Sequence, residues 1–359
     1  VGQSDFALTG AVSDYYPYLF TNGVLKGNLR LTSGFMNLNE LMQLQAPVAT
    51  TTPPAAKSQP TPTDSVSQKH AFKVPENIDV AFNTDVNRAV YDRLNISNIK
   101  GLVTVKNGSM NLDGLLMNML NGQLNLTGFY RNTPENKPLV NLTFDLQNFD
   151  IPVAFQSFSL MSRYLPIASE SQGKFNASFK LDGRLSDKMD LLIPSLNGNG
   201  LFMSKDVKLN NSATFNKLKG MLKEDLLKNI SIEDFTANFT IENGNLILKP
   251  FKTKVSGQEA TVFGRLNVDN LVDFRIDFNV QREALGKDVE NVLGFLPGQK
   301  NIQVIPASVA IKGPVNNPDV NVDLTEAKQL VKKEVKEATK EELQKTINKV
   351  GEGLKKLLR

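Results

Sequence analysis

Over most of this chain apolar and polar residues alternate with a period of two, the mark of β-strands that turn one face toward a core. The clearest stretch spans residues 229–268. Phe235, Ala237, Phe239 and Ile241 fall on one face, and Thr236, Asn238 and Thr240 on the other. Asn243-Gly244 follows. A two-residue type I′ hairpin needs φ > 0 at both central positions, which this dipeptide tolerates best. Leu246 and Leu248 then resume the phase. The pattern predicts an antiparallel meander with one apolar and one polar face.

The same unit occurs upstream. Residues 99–130 align without gaps on 235–266, pairing Thr104 with Thr240, Asn107-Gly108 with Asn243-Gly244, Leu112 with Leu248 and Gly128 with Gly264. Asn95-Ile96-Ser97 also resembles Asn229-Ile230-Ser231, shifted by two residues. Shared turn dipeptides and a shared strand phase predict a repeat of β-meanders.

Alternation predicts further strands at 5–8, 27–31, 77–83, 138–146, 173–181, 198–209, 273–280, 307–311 and 319–324, with a turn at Ser33-Gly34. Phe175 and Phe179 share a face in one of them, and Phe274 and Phe278 in another. Helical spacing predicts amphipathic helices at 151–165, at 213–227 behind a Ser212 cap, and at 282–293. Four regions result: N-terminal strands (1–45), a Pro/Thr/Ala/Ser-rich spacer (46–70), the repeated meanders (71–324) and an amphipathic helix (325–359). The spacer is expected to be flexible, because it holds too little bulky apolar surface to offset its ordering entropy.

Charge adds one asymmetry. The chain of 359 residues has a net charge of +4, all of it in residues 325–359, where ten Lys/Arg face six Glu. The remainder carries 31 charges of each sign, so no continuous cationic track is available for nucleic acid. With no Cys there are no disulfides or thiolate metal sites, and a lone His70 beside the spacer limits histidine chemistry. No run reaches the ~18 apolar residues of a membrane span. A start at Val1 without a leader-like segment suggests a processed or truncated piece of something longer.

Catalytic motifs are missing: the sequence has no nucleophile elbow, phosphate-binding loop, His-Glu-x-x-His or dinucleotide fingerprint. Asp145, Asp234 and Asp277 could pair as glycosidase carboxylates do, but each lies at or beside a polar strand position, where a solvated face explains it. Asn-x-Ser/Thr triplets at Asn95, Asn125, Asn141, Asn176, Asn229 and Asn238 arise by chance on Asn- and Thr-rich strand faces. No cofactor is implied.

Many strands carry an apolar face, and few helices exist to cover it. Two architectures satisfy this pattern. Two sheets can cover each other as a sandwich, or one long, twisted, antiparallel sheet can hold acyl chains in an apolar groove.

The meander at 95–130, the 173–181 strand followed by Gly198-Asn199-Gly200-Leu201-Phe202, the 215–227 helix and the 232–266 meander occur in the order of the AsmA-like family. The closing Ile311-Lys312-Gly313-Pro314-Val315-Asn316-Asn317-Pro318 strand turn resembles that family's C-terminal region too. The resemblance covers most of 77–324; the 46–70 insertion departs from it, and the family's N-terminal membrane anchor is not in this chain. It implies a periplasmic protein of a Gram-negative bacterium, tethered to the inner membrane and related to bridge-like lipid-transfer proteins. A role in outer-membrane lipid homeostasis or assembly would follow. It supplies no catalytic residues.

The expected function is therefore non-enzymatic binding or transfer of phospholipid or another acyl lipid. From strand phase, the lining residues would be Phe175, Phe179, Phe235, Phe239, Ile241, Leu246, Leu248, Phe274 and Phe278. Lys332, Lys336 and Lys340 of the tail would meet an anionic membrane surface, unless the tail packs on the sheet or is a solvated helix. A scaffold that binds envelope-assembly proteins without lipid fits the same strand phase.

Overall fold

The computed structural model describes residues 2–43, 71–158, 170–210, 223, 229–286 and 303–323, and in the tail 325–327, 329–330, 333, 336, 340 and 344. The spacer at 46–70, His70, the 213–227 helix apart from Lys223, most of 282–293 and Lys332 lie outside the described residues.

The chain is mainly β. Its strands are β1 (Asp5–Ser13), β2 (Leu25–Asn37), β3 (Ile78–Tyr91), β4 (Leu94–Lys106), β5 (Ser109–Met119), β6 (Gly122–Arg131), β7 (Leu139–Asp150), β8 (Ser171–Arg184), β9 (Asn197–Asn210), β10 (Asn229–Ile232), β11 (Phe235–Glu242), β12 (Asn245–Val255), β13 (Gln258–Leu266), β14 (Leu271–Gln281), β15 (Val304–Pro314) and β16 (Asp319–Asp323). All sixteen belong to one hydrogen-bonded sheet that follows chain order, except that β11 pairs with β9 and β12 off the main path. Short helices α1 (Tyr15–Phe20), α2 (Leu38–Gln43) and α3 (Ile151–Ser157) interrupt it.

Two expectations need correction. Ser33-Gly34 is not a turn: β2 runs through it, and the Ser33 hydroxyl instead donates to Asp5 on β1. The sheet is mixed, because β2 and β3 pair in parallel from Leu25↔Ile78 to Asn37↔Val90. Parallel neighbours need a long crossover, and residues 44–77 between α2 and β3 supply it. Of the helices expected at 151–165 and 282–293, residues 159–165 and 287–293 lie outside the described residues, and the described parts are a short helix and a 3-10 turn. Asp150 caps α3 by accepting the Val153 N–H, but Phe158 is already extended, and Arg282–Ala284 is a single 3-10 turn before extended Leu285.

The repeat is visible in the backbone. Asn107-Gly108 and Asn243-Gly244 both have positive φ (50° and 68°; 49° and 78°), as the type I′ turn demands. A second pair of turns, Leu120-Asn121 and Ser256-Gly257, follows at matching positions, so β5 and β12 are both eleven residues long. Gly128 (φ 135°) and Gly264 (φ 152°) lie where a Cβ would strike the neighbouring strand, at Asn141 and at Phe274. The copies differ where continuous β4 corresponds to β10 and β11, broken at Glu233-Asp234.

The described residues divide into two compact units. Unit 1 comprises Val1–Phe158, Phe175–Phe202 and Phe239–Leu246; unit 2 comprises Ser159–Lys174, Met203–Asn238 and Ile247–Arg359.

Candidate functional site

Side chains opposite each other in a ladder share a face, so the registers of unit 1 sort its apolar residues into rows that cross the strands. One row is Val80, Val105, Met110, Tyr130 and Val140. The next is Leu29, Phe82, Val103, Leu112, Gly128 and Leu142. Leu31, Thr84 and Gly101 follow, in line with Leu115, Leu126 and Phe144 beyond the bulge at Gly114. A fourth row holds Val86 and Ile99, then Met117, Leu124 and Leu146.

Burial separates these rows. In the first, Val80, Tyr130 and Val140 are buried, and in the fourth every member is buried. The two rows between them are half-buried at every position. At the fourth-row end, α2 packs against β3 and α3 against β7. An apolar strip two rows wide thus crosses β2 to β7. Four residues of strand make it ~13 Å wide.

Aromatic rings carry the strip onward within unit 1. Phe144 stacks on Phe179 of β8 with centroids 4.8 Å apart, and Phe179 meets Phe239 of β11 at 6.3 Å. Beside them, Phe175 lies between Phe149 (5.9 Å) and Phe202 (4.8 Å). Phe149 is fully buried over Gly122, whose missing side chain leaves space for its ring.

Unit 2 has its own apolar face. Ala260, Phe278 and Ala307 form one row; Val262, Ile276, Val309 and Val322 form the next; Gly264, Phe274, Ile311 and Val320 form a third. The first is buried throughout and the third is half-buried. Phe235 stacks on Phe251 at 5.1 Å. The opposite face is polar. There Asp277 accepts from Arg275 (2.6 Å) and from Ser308 (2.6 Å), and that hydrogen bond holds the Arg275 guanidinium above its ordinary pKa. Glu326 in the first turn of the tail lies 3.8 Å from Arg275, and the neighbouring Ala327 is buried.

The nine residues expected to line a single groove are therefore divided. Phe175, Phe179, Phe239, Ile241 and Leu246 belong to unit 1, and Phe235, Leu248, Phe274 and Phe278 to unit 2. Phe175, Ile241 and Phe278 are core residues; Phe179, Phe235, Phe239, Leu246, Leu248 and Phe274 are half-buried. Strand phase could not separate these classes, because both share one face. Phe144, with the same alternation, belongs with Phe179. Phe82, Val103 and Leu112 needed the register to be found. In the tail, Lys336 and Lys340 are helical and exposed on one side with Lys333.

Asp145 accepts from Ser178 (2.5 Å) in unit 1, while Asp234 and Asp277 lie in unit 2. Among the described residues no three His, Asp or Glu side chains gather as metal ligands, and no helix is long and apolar enough to cross a membrane. A shallow cavity of about 260 Å³ in unit 1 has a mixed lining that includes Phe129, Leu139, Val140, Asn141, Asp182 and Arg184. The chain matches no family model, no curated protein and no solved structure.

Proposed function

We propose that this chain is a non-enzymatic segment that binds or transfers acyl lipids, with hydrocarbon chains lying in a groove whose floor is the strip from Leu29 to Phe239 in unit 1. One observation carries this reading: two apolar rows, half-buried at every position, run between a fully buried row and one buried at Val80, Tyr130 and Val140. A sandwich core would bury all four rows alike, whereas a surface that meets only water would not keep Phe82, Val103, Leu112, Leu126, Phe144 and Phe179 in line. The strip is wide enough for two extended chains side by side, which suits a diacyl phospholipid whose head group stays in water.

The sequence resemblance to AsmA-like proteins is consistent with this reading. We extend it to a periplasmic setting, an inner-membrane tether outside this chain, and a part in outer-membrane lipid homeostasis or assembly. Lys333, Lys336 and Lys340 form a cationic side of the tail that would lie on an anionic membrane surface, while the tail's first turn stays docked on unit 2.

Native mass spectrometry of the protein incubated with phospholipid vesicles, with lipid extraction alongside, tests the proposal. Bound phospholipid that is lost in a folded Phe179→Asp variant is the expected result. A clean apo mass with no uptake would favour a scaffold that binds envelope proteins.

A further inference from the structure

One side of the unit 1 strip is bounded by a segment that belongs to no strand. Residues 71–75 lie over the first row: Val74 is completely buried against Tyr130, Val140 and Leu185, with Phe72, Val105, Met110 and Leu142 packed around them. Apolar contact alone would leave the segment's backbone groups unsatisfied. Several of them find individual partners. The Asn132 amide donates to the Val74 carbonyl (2.7 Å) and accepts from the Val74 N–H (3.2 Å), so one side chain replaces the partner strand that Val74 lacks. The Tyr130 hydroxyl donates to the Phe72 carbonyl (2.7 Å), the Ala71 N–H to Asp187 (2.6 Å), and the Gly108 N–H to Pro75 (3.2 Å).

We infer that residues 71–75 are the side wall that limits the groove to two rows, and that Asn132 is the positioning residue that latches it. The inference rests on the lipid reading above. With the wall in place, Val140 is buried and Val105, Met110 and the near edge at Leu142 pack against the segment, so hydrocarbon is confined to the two middle rows. With the wall released, those side chains join the floor and a third row opens, so the binding surface gains room for a bulkier lipid. Both side-chain hydrogen bonds of Asn132 go to Val74, through which it acts.

The test uses the full chain and vesicles containing equal amounts of diacyl phosphatidylcholine and four-chain cardiolipin. Native mass spectrometry reads the ratio of cardiolipin to phosphatidylcholine bound, and hydrogen exchange follows the amides of residues 72–75. Asn132→Ala is expected to release those amides and to raise the ratio at least fivefold. Phe72→Ala, which thins the wall without touching the latch, is expected to raise it in the same direction and decides the matter if Asn132→Ala does not fold. An unchanged ratio in variants whose strap amides exchange freely overturns the wall. No uptake of either lipid by the unaltered protein overturns the lipid reading, and the wall falls with it.

Discussion

Phe144 on β7 and Phe179 on β8 stack with ring centroids 4.8 Å apart and planes 20° apart, and both remain half-buried. A stacked pair in a closed core would be sealed on both sides. Here each ring stacks on its partner while part of it stays accessible.

Phe179→Ala removes this stack and the contact with Phe239. Half burial and one aromatic pair together suggest a loss of ~2 kcal/mol, below the 3–5 kcal/mol of a fully buried Phe. Chemical denaturation measures it. Phospholipid uptake should fall in the same variant, and by more than in Phe251→Ala of unit 2.

Gly122 is glycine because Phe149 occupies the space above it. A Cβ there would meet the Phe149 ring and the Gln147 carbonyl. Gly122→Ala is expected to cost about 1–3 kcal/mol as an overpacked site. Combining it with Phe149→Leu should return part of that loss, a coupling that a double-mutant cycle detects.

Tyr130 gives the strap a pH dependence. Burial pushes its pKa up to about 12, against an ordinary value near 10. A raised folded pKa means that the neutral hydroxyl, which donates to Phe72, is the favoured form. Its stability contribution is fully present below pH 10 and is lost as pH rises toward 12. The unaltered protein should lose stability over this range more steeply than Tyr130→Phe, which cannot ionise.

Docking of the tail should depend weakly on its ion pair. Glu326 is well exposed and lies 3.8 Å from Arg275, so Glu326→Ala should cost less than about 1 kcal/mol, and high salt should mimic part of it. Faster hydrogen exchange at residues 325–327, with β14 and β15 still protected, is the expected result.

Reversing Lys333, Lys336 and Lys340 to Glu should weaken binding to anionic vesicles by ~1 kcal/mol or more per residue at low salt, with no change on neutral vesicles. Equal binding by the unaltered and reversed proteins would leave the tail as a solvated helix docked on unit 2.

Local chemistry is legible in the chain itself. The period of two in Phe235–Glu242 and Leu271–Gln281 decides which side chains share a face, since successive Cβ atoms point to opposite sides of a strand. Asn107-Gly108 and Asn243-Gly244 decide where hairpins close, because few other dipeptides accept two positive φ values. The repeat follows from both.

Tertiary structure decided the rest. Pairing β2 in parallel with β3, aligning Phe82 with Val103 and Leu112, and splitting Phe179 from Phe278 into separate units all depend on contacts between residues far apart in sequence. Alternation assigns a face but not a register, and a face does not say which of its rows will be covered. One such cover is Val74, anchored by Asn132 from 58 positions away and packed against Tyr130 and Val140 of the first row.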